Sequence, residues 1–518
     1  MTSFLHRFSS KILGVLSGFD RVRLRGTLPR LANTGCLFRW LQSKKILLKD
    51  FPKYAEACTQ QLRETLEKKA SNAGRPVEYL QGYTNKEALV QQRKLRDGVA
   101  PNGLVCAFST LENCTSYDVS KNSKTHKIDL RRRPRKCLHY YFYFDDDRFG
   151  LAQVRLQTWF PFNTNVVLNG REWLARQLDE SGIAYQRRDN CFTWVEDFAR
   201  AQELADLQPK IDWEAELDRL LQRVLPPRQL WLPDDHYYWT ADQTEWATDL
   251  AFRDADTLSQ LYPQLIRRGI ETFRSEDVLR FLGHRVKAEG RVPANFADEV
   301  TSDLKHRPEG VRIKHRAGKN TVKMYDKQGS VLRVETTLNE VKGLKSFRPL
   351  TDDPTGPCQW RPMRKSVVEM TRRAELSQAS NDRYQEALAT LPTDTPLSRV
   401  TGKFCRSIVV EGRRHRALNP LAPDDAGLLE AVSRGEWLVA GFRNRDIRAV
   451  LYGDAPDDST RRRLASRVTR LLGLLRAHGL IKKVPRTHRY LLTKEGTSVI
   501  PALLAANNAT LHQLTNAA

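Results

Sequence analysis

The sequence predicts an α+β protein: an antiparallel-sheet body carrying helices, followed by a C-terminal winged helix-turn-helix domain. Three observations carry that expectation. An aromatic β-hairpin, CLHYYFYF–DDDRFG–LAQVRLQTWF, runs directly into a helical pattern, NGREWLARQLDESG. A second set of alternating strands, VRIKHRAGKNTVKMYDKQGSVLRVETTLN, has turn signals at Gly318 and Gln328-Gly329. Residues 421–518 then order as helix, arginine-rich helix, strand, basic turn and strand.

Taken along the chain, FLHRFSSKILGVLSGFDRVRLRGTL reads as a short helix and then a strand with Phe19, Val22 and Leu24 on its apolar side. Residues 51–72 are helical, with Tyr54, Cys58, Leu62 and Leu66 at steps of four. GLVCAF at 103–108 is a short buried strand. In the hairpin, Val154, Leu156 and Thr158 alternate against Arg155 and Gln157, so one face is polar. The next helix is capped at Asn169 and stopped at Gly182. Residues 196–225 read as one amphipathic helix ended by Pro226-Pro227, and 240–300 also read as helical, with an N-cap at Ser275. The layout expected is 1–200 as α+β sheet body, 201–300 as helical region and 301–350 as a hairpin completing the body. Residues 351–420 follow as helix and loop linker, and 421–518 as the winged helix.

The 518 residues hold 85 Lys+Arg against 61 Asp+Glu, a net charge of +24. Surplus cations must sit in water, where they attract polyanions. Nucleic acid fits better than a membrane, because no stretch approaches the ~18 consecutive apolar residues needed to span one. The Ile12–Phe19 run passes straight into Asp20, Arg21 and Arg23 and has no small-residue cleavage site, unlike a signal peptide. A 40% hydrophobic share excludes a wholly disordered chain. The eight cysteines are scattered without a CxxC, as expected of reduced thiols in a cytoplasmic protein. Without GxxxxGK(S/T), GxGxxG after a strand, or HExxH, the NTPase, dinucleotide-binding and zincin classes drop out.

In the C-terminal part, GFRNRDIRAVLYG places Ile447, Val450 and Leu451 on one side. The helix STRRRLASRVTRLLGLLRAHGL buries Leu464, Val468, Leu471, Leu472 and Leu475, with Arg461, Arg462, Arg463, Arg467 and Arg470 at its start and on its outer face. Gly479 stops it, and a strand, a turn around Pro485 and a second strand follow, carrying Lys482, Lys483, Arg486 and Arg489. A helix of this kind suits the major groove of duplex DNA, and a basic wing suits the flanking phosphates. A charged solvated helix or a protein–protein wing is the alternative. The string RLLGLLRAHGLIKKV…RYLLTKEG resembles the winged helices of MarR-like transcription regulators, over less than a fifth of the chain; the resemblance bears on fold and not on ligand.

On the Tyr-Asp-Lys hairpin, Lys323, Tyr325 and Lys327 face one way, and Val331, Arg333 and Glu335 share a side of the return strand. Tyrosine can attack a phosphodiester, a carboxylate can hold Mg²⁺ or Mn²⁺, and Lys327 and Arg333 can stabilise developing charge. Asp20 is a second candidate metal carboxylate beside Glu335, or else pairs with the arginines around it. The hairpin resembles the YDK…LRxE hairpin of replication-initiation proteins from rolling-circle plasmids and filamentous phages. There it belongs to a nicking-endonuclease sheet related to the HUH fold. The chain departs from that pattern in lacking His-x-His, since His139 and His315 stand apart, and in having no tyrosine in NEVKGLKSFRPL after the hairpin. Tyr325 itself would therefore have to serve. The strings GFDRVRLRGTL, QTWFPFN…NGREWLARQLD, YYWTADQTEWATD, SDLKHRPEGVRIKH and GFRNRDIRAVLYG resemble a large bacterial family with a C-terminal winged helix, whose members look like passengers of mobile elements. That resemblance supports the domain layout.

Three further segments have two readings each. Arg131, Arg132 and Arg133, in a basic run before the aromatic hairpin, suit single-stranded DNA or structured RNA, or form a solvated linker. Asp145-Asp146-Asp147 is a metal cluster or, as expected for a hairpin tip, a solvated turn. Asp234–Trp239 with Glu245 and Asp249 holds a base or a metal, or is a helix N-terminus over an aromatic core. The function expected is a nucleic-acid-binding protein of mobile-element, replication-initiator type, acting as a metal-dependent, site-specific nicking endonuclease. The alternative is a non-enzymatic binder: a winged-helix regulator or the protein partner of a structured RNA. Duplex DNA would meet the winged helix and single strands or structured RNA the body, with no membrane partner.

Overall fold

The structure, a computed structural model, describes residues 3–82, 84–121, 123, 126, 128–225, 236–284, 299–307, 310–327, 329–350, 353, 355–389, 402–410, 412–434, 437, 441–485 and 487–509. The chain is mixed α/β and divides into two units: Gly14–Asp249 with Glu335–Gln378, and Met1–Leu13 with Leu250–Val334 and Ala379–Ala518. Among the described residues no helix is long and apolar enough to cross a membrane.

The first unit is organised by a large, mostly antiparallel sheet. Its strands are β1 (Ile12–Thr27), β2 (Glu78–Tyr79), β3 (Leu104–Lys121), β4 (Ile128–Asp146), β5 (Gly150–Gln157) and β6 (Thr164–Asn169), joined by β9 (Tyr238–Phe252) and β13 (Val331–Leu338). They lie in the order β13-β9-β1-β6-β5-β4-β3-β2. A small hairpin, β7 (Tyr185–Arg188) and β8 (Cys191–Val195), stands outside this sheet. Alternation gives the sheet two unlike faces. On the inner face Phe19, Val22, Leu24, Val154, Leu156, Val166, Leu168, Tyr140, Phe142 and Phe144 form one core with five helices. These are α2 (Thr34–Ser43), α3 (Phe51–Asn72), α5 (Gly170–Glu180), α6 (Phe198–Ala205) and α7 (Trp213–Gln222). On the outer face α4 (Lys86–Asp97) covers only the β3–β4 end, where its Val90 packs with Phe108, Tyr141 and Tyr143. The rest of that face stays polar.

The aromatic hairpin is present in the register Asp146↔Gly150, and α5 is capped as expected, with Asn169 Oδ1 accepting from the Arg171 and Glu172 amides. Elsewhere the elements differ from expectation. The buried strand at 103–108 extends through Lys121, because β4 begins at Ile128 and pairs with it along its length. The basic run is therefore strand and not linker: Arg131, Arg132 and Arg133 lie opposite Asp118, Tyr117 and Ser116. The helix expected at 196–225 is two helices, interrupted at Gln208–Lys210, where Pro209 lacks an amide hydrogen. The largest correction is β9. Its Ala, Asp, Gln and Glu mimic helix composition, yet Trp239, Ala241 and then, after a one-residue shift, Thr244, Trp246, Thr248 and Leu250 are buried at every second position. Strand period and two tryptophans outweigh local propensity.

In the second unit α8 (Ala255–Glu271) and α9 (Ser275–Phe281) precede the antiparallel strands β10 (Val300–Arg307), β11 (Gly310–Ala317) and β12 (Asn320–Lys327). Ser275 is the first residue of α9 and not its cap; the Asp277 carboxylate accepts from the Arg274 amide instead. His315 on β11 is buried, with Nδ1 2.7 Å from Ser302 Oγ and Nε2 3.1 Å from the Tyr384 hydroxyl. Burial pushes its pKa down to about 4. Tyr384 belongs to α10 (Met370–Leu388).

The C-terminal part of this unit has a core of its own, including Leu428, Phe442, Ile447, Val468, Leu472, Leu475, Leu480 and Ile500. Its elements are α11 (Pro423–Ser433), β18 (Phe442–Arg443), α12 (Asn444–Tyr452), α13 (Asp458–Ala477), β19 (Ile481–Lys483), β20 (Arg489–Leu492) and α14 (Lys494–Asn508). The three strands form one sheet in the order β18-β20-β19. Asp457 caps α13 by accepting from the Thr460 amide, and Gly479 ends it with φ +74°.

Candidate metal centre

Among the described residues, one group of carboxylates is placed to hold a metal ion: Asp20, Glu245 and Glu335, each with an oxygen within 4.8 Å of the others. They sit on β1, β9 and β13, three strands adjacent in the first unit. Asp20 and Glu335 are buried and Glu245 half-buried.

Local packing explains why Asp20 is there. Phe19 is a core residue, edge-on to Trp246 at 4.9 Å and to Trp213 at 6.2 Å. Its backbone is bonded by a side chain: the Phe19 amide donates to Gln208 Oε1 at 3.0 Å, and Gln208 Nε2 donates to the Gly170 carbonyl at 2.9 Å. Gly170 has to be glycine, since a Cβ there would lie 2.1 Å from the Phe19 carbonyl oxygen. Both Phe19 and Val22 point into the core, three positions apart, so Asp20 and Arg21 are both left on the outer face. Trp246 is likewise internal, its indole donating to Gln378 Oε1 at 2.7 Å, which turns Glu245 outward. Asn190, in the β7–β8 turn, donates to both oxygens of Asp20 at 2.7 and 2.8 Å. Gln243 donates to Glu245 at 2.6 Å.

The same outer face continues along β1 as Arg21, Arg23 and Arg25. A cavity of about 330 Å³ opens there, lined by Arg23, Arg25, Glu112, Tyr141, Arg155 and Asp242 among others. Its floor is a tight polar network. Tyr141 donates to Glu112 at 2.5 Å, while Arg155 donates to Glu112 at 2.6 Å, to the Tyr141 hydroxyl at 3.0 Å and to Asn165 at 3.1 Å. Burial would raise the Glu112 pKa, but the hydrogen bonds from Tyr141 and Arg155 hold it below the usual carboxylate value. Burial, with Glu112 as acceptor, pushes Tyr141 up to about 12. His139, on the same strand, is pushed down to about 4 by burial and the nearby Arg155 charge.

The structure thus brings together the expected pair Asp20 and Glu335, with Asn190 bonded to Asp20, and adds Glu245. In the sequence Glu245 reads as a metal candidate with Asp234–Trp239 and Asp249 and not with Asp20 and Glu335, because residues 240–300 read as helix and the alternation of the strand is broken between Ala241 and Thr244. The other hairpin residues differ from expectation. Tyr325 lies opposite Arg312 and is only 9% exposed. Lys327 and Arg333 are buried as well, so neither is a surface cation; β13 is buried along its whole length. Asp146 is not in a solvated turn: it is buried, bonded to Arg219 at 2.9 and 3.2 Å and to Arg223 at 3.0 Å. Asp249 is a buried partner of Arg171 at 3.1 Å, and Trp239 lies in a strand and not at a helix N-terminus. Asp234 and Asp235 lie outside the described residues.

Of the basic residues, Arg131, Arg132 and Arg133 are exposed, with Arg131 3.2 Å from Asp129 and Arg133 3.6 Å from Asp118. Arg461, Arg462, Arg463, Arg467 and Arg470 are exposed along α13, and Lys482 and Lys483 on β19. Arg489 is half-buried and donates to the Gly441 carbonyl at 3.3 Å. Arg486 lies outside the described residues. Compared with protein-family models, with curated proteins and with solved structures, the chain shows no match.

Proposed function

We propose that the chain is a nucleic-acid-processing protein whose first unit cleaves a phosphodiester with the help of a divalent cation. The observation that carries this reading is the convergence of Asp20, Glu245 and Glu335 on a sheet face that continues along β1 as Arg21, Arg23 and Arg25. Three carboxylates offer only oxygen donors, the set that suits hard cations such as Mg²⁺ or Mn²⁺. Such a cation would supply Lewis-acid polarisation of a phosphoryl oxygen. The chain itself supplies orientation and charge. Asn190, donating to both oxygens of Asp20, holds the orientation of that carboxylate, as outer partners of metal-ligating carboxylates do. At roughly 3.3 Å per residue, Arg23 and Arg25 lie about 10 and 16 Å along the strand from Asp20. Their guanidiniums are suited to hold the phosphates that follow the scissile one. Tyr325, the nucleophile expected for a nicking reaction, belongs to the second unit and is not part of this carboxylate group. Its small exposure favours hydrolysis instead.

A second reading, duplex binding without chemistry, is favoured by the C-terminal elements. Two helices, a basic strand pair and the sheet order β18-β20-β19 follow the succession of a winged helix, and five arginines line the exposed face of α13.

One experiment separates these readings. With Mn²⁺, wild-type protein should nick single-stranded circular or duplex plasmid DNA. Glu335→Gln should slow that cleavage at least 10–100-fold, while Tyr325→Phe leaves the rate intact. A covalent adduct that disappears in Tyr325→Phe would assign the phenol instead. No cleavage by wild type, together with duplex binding lost in an R463A/R467A/R470A variant, would leave only the second reading.

A further inference from the structure

Residues 345–348 and 359–375 of the first unit build a surface used by neither the metal centre nor the C-terminal helices. β14 (Lys345–Arg348) and β15 (Gln359–Pro362) form an antiparallel ribbon in which Phe347 and Trp360 stand directly opposite one another. The two rings are 58% and 57% exposed, with centroids 5.4 Å apart and planes tilted by 51°. Large rings are normally drawn into the core, so a paired display in water marks a surface that meets something flat and apolar. Around the rings the charge is positive. Arg372 of α10 lies over the Trp360 ring, 5.2 Å from its centroid, donates to the Lys345 carbonyl at 3.0 Å and pairs with Glu375 at 2.7 Å. A cavity of about 570 Å³ beside the rings is lined by Arg348, Arg364 and Arg372 and by the carboxylates of Glu369 and Glu375. Arg348 and Arg364 both approach the single Glu369 carboxylate at 3.2 Å, so the group keeps a net positive charge. Over residues 345–375, seven Lys and Arg face four Asp and Glu.

We propose that this ribbon is a docking platform for single-stranded nucleic acid: bases stack on Trp360 and Phe347 while Arg348, Arg364 and Arg372 meet the adjoining phosphates. Every base has a π face, so exposed aromatic rings beside guanidiniums hold unpaired strands with little sequence preference. A duplex keeps its bases stacked on one another and offers the rings nothing. An acidic polypeptide would satisfy the charges but not the two rings. The inference rests on the nucleic-acid reading above and adds where, and in which form, the strand is held.

The test uses the full chain, labelled (dT)20 and a matched duplex, followed by fluorescence anisotropy across a salt series. Trp360→Ala and Phe347→Ala should each weaken (dT)20 binding about tenfold, with Trp360→Phe restoring most of the loss and duplex affinity changing less than about twofold. Arg372→Ala should lower the salt slope for (dT)20 by about 0.7. If wild type binds (dT)20 and both alanine variants bind it equally well, this inference alone falls. If wild type binds neither probe, it falls together with the proposed function. Displacement of (dT)20 by polyglutamate, indifferent to Trp360→Ala, would overturn it in favour of an acidic polypeptide.

Discussion

The acidic tip of the β4–β5 hairpin and the carboxylate group around Asp20 lie in the same unit and are built in opposite ways. At the tip, three aspartates are neighbours in sequence, and the fold separates them. Asp146 is buried against Arg219 and Arg223 and also accepts from the Arg148 and Phe149 amides at 3.1 Å, Asp145 pairs with Lys94 at 2.8 Å, and Asp147 faces solvent. Around Asp20, three carboxylates from distant parts of the chain are gathered onto adjacent strands within 4.8 Å. Contiguous acids made a structural ion pair, whereas dispersed acids made a site able to take a cation. Two guanidiniums contact Asp146; burial alone would raise its pKa, but Arg219 and the Phe149 and Arg148 amides hold it low. A cation answering all three carboxylates of the cluster is what the proposed function requires.

The largest expected effect is at the tip. Asp146→Ala leaves two arginines without their shared carboxylate and unties the turn. It should cost about 3 kcal/mol, at the lower end for a broken buried pair, because Arg219 keeps 35% exposure. Urea unfolding measures this. Glu245→Gln, in metal-free protein, should change stability by less than about 1 kcal/mol. Equal losses from the two substitutions would break the contrast.

How far this contrast was legible in the sequence follows from strand context. Asp20 and Glu335 stood out because each sits in a clear strand, GFDRVRLRG and VLRVETTL, beside basic residues. Glu245 did not join them, because TADQTEWATD has helix-like composition and only tertiary packing reveals its period of two. The tip misled in the other sense: a run of aspartates looks solvated until Arg219 and Arg223, some seventy residues later, arrive on α7 and just beyond it. Pairing across long separations is the part of a fold that local pattern does not encode. Capping and chain reversal at Asn169, Gly182 and Gly479 are local chemistry, and were read correctly.

A smaller effect concerns pH and sharpens the view of the outer face as desolvated toward its β4 end. His139 and His315 have folded pKa values near 4, against an ordinary value of 6.5. Unfolded chains therefore bind more protons than folded ones between those limits. Stability should be fully present above about pH 6.5 and fall as pH drops toward 4, by roughly 1 kcal/mol per pH unit for each histidine. Denaturant midpoints at pH 7, 6 and 5 measure this slope, and His139→Asn should reduce it by about half. A slope unchanged in that variant would mean that His139 is not held neutral by burial.

The central claim is that Asp20, Glu245 and Glu335 together hold one hard divalent cation, and titration of the full chain with Mn²⁺, followed by electron paramagnetic resonance of the free ion, tests it most directly. The account predicts one Mn²⁺ bound per chain, displaced by Mg²⁺, lost in Glu335→Gln and Glu245→Gln, and retained in Asp147→Asn at the solvent-facing tip. Binding that survives Glu335→Gln and Glu245→Gln, or that disappears with Asp147→Asn alone, would contradict it.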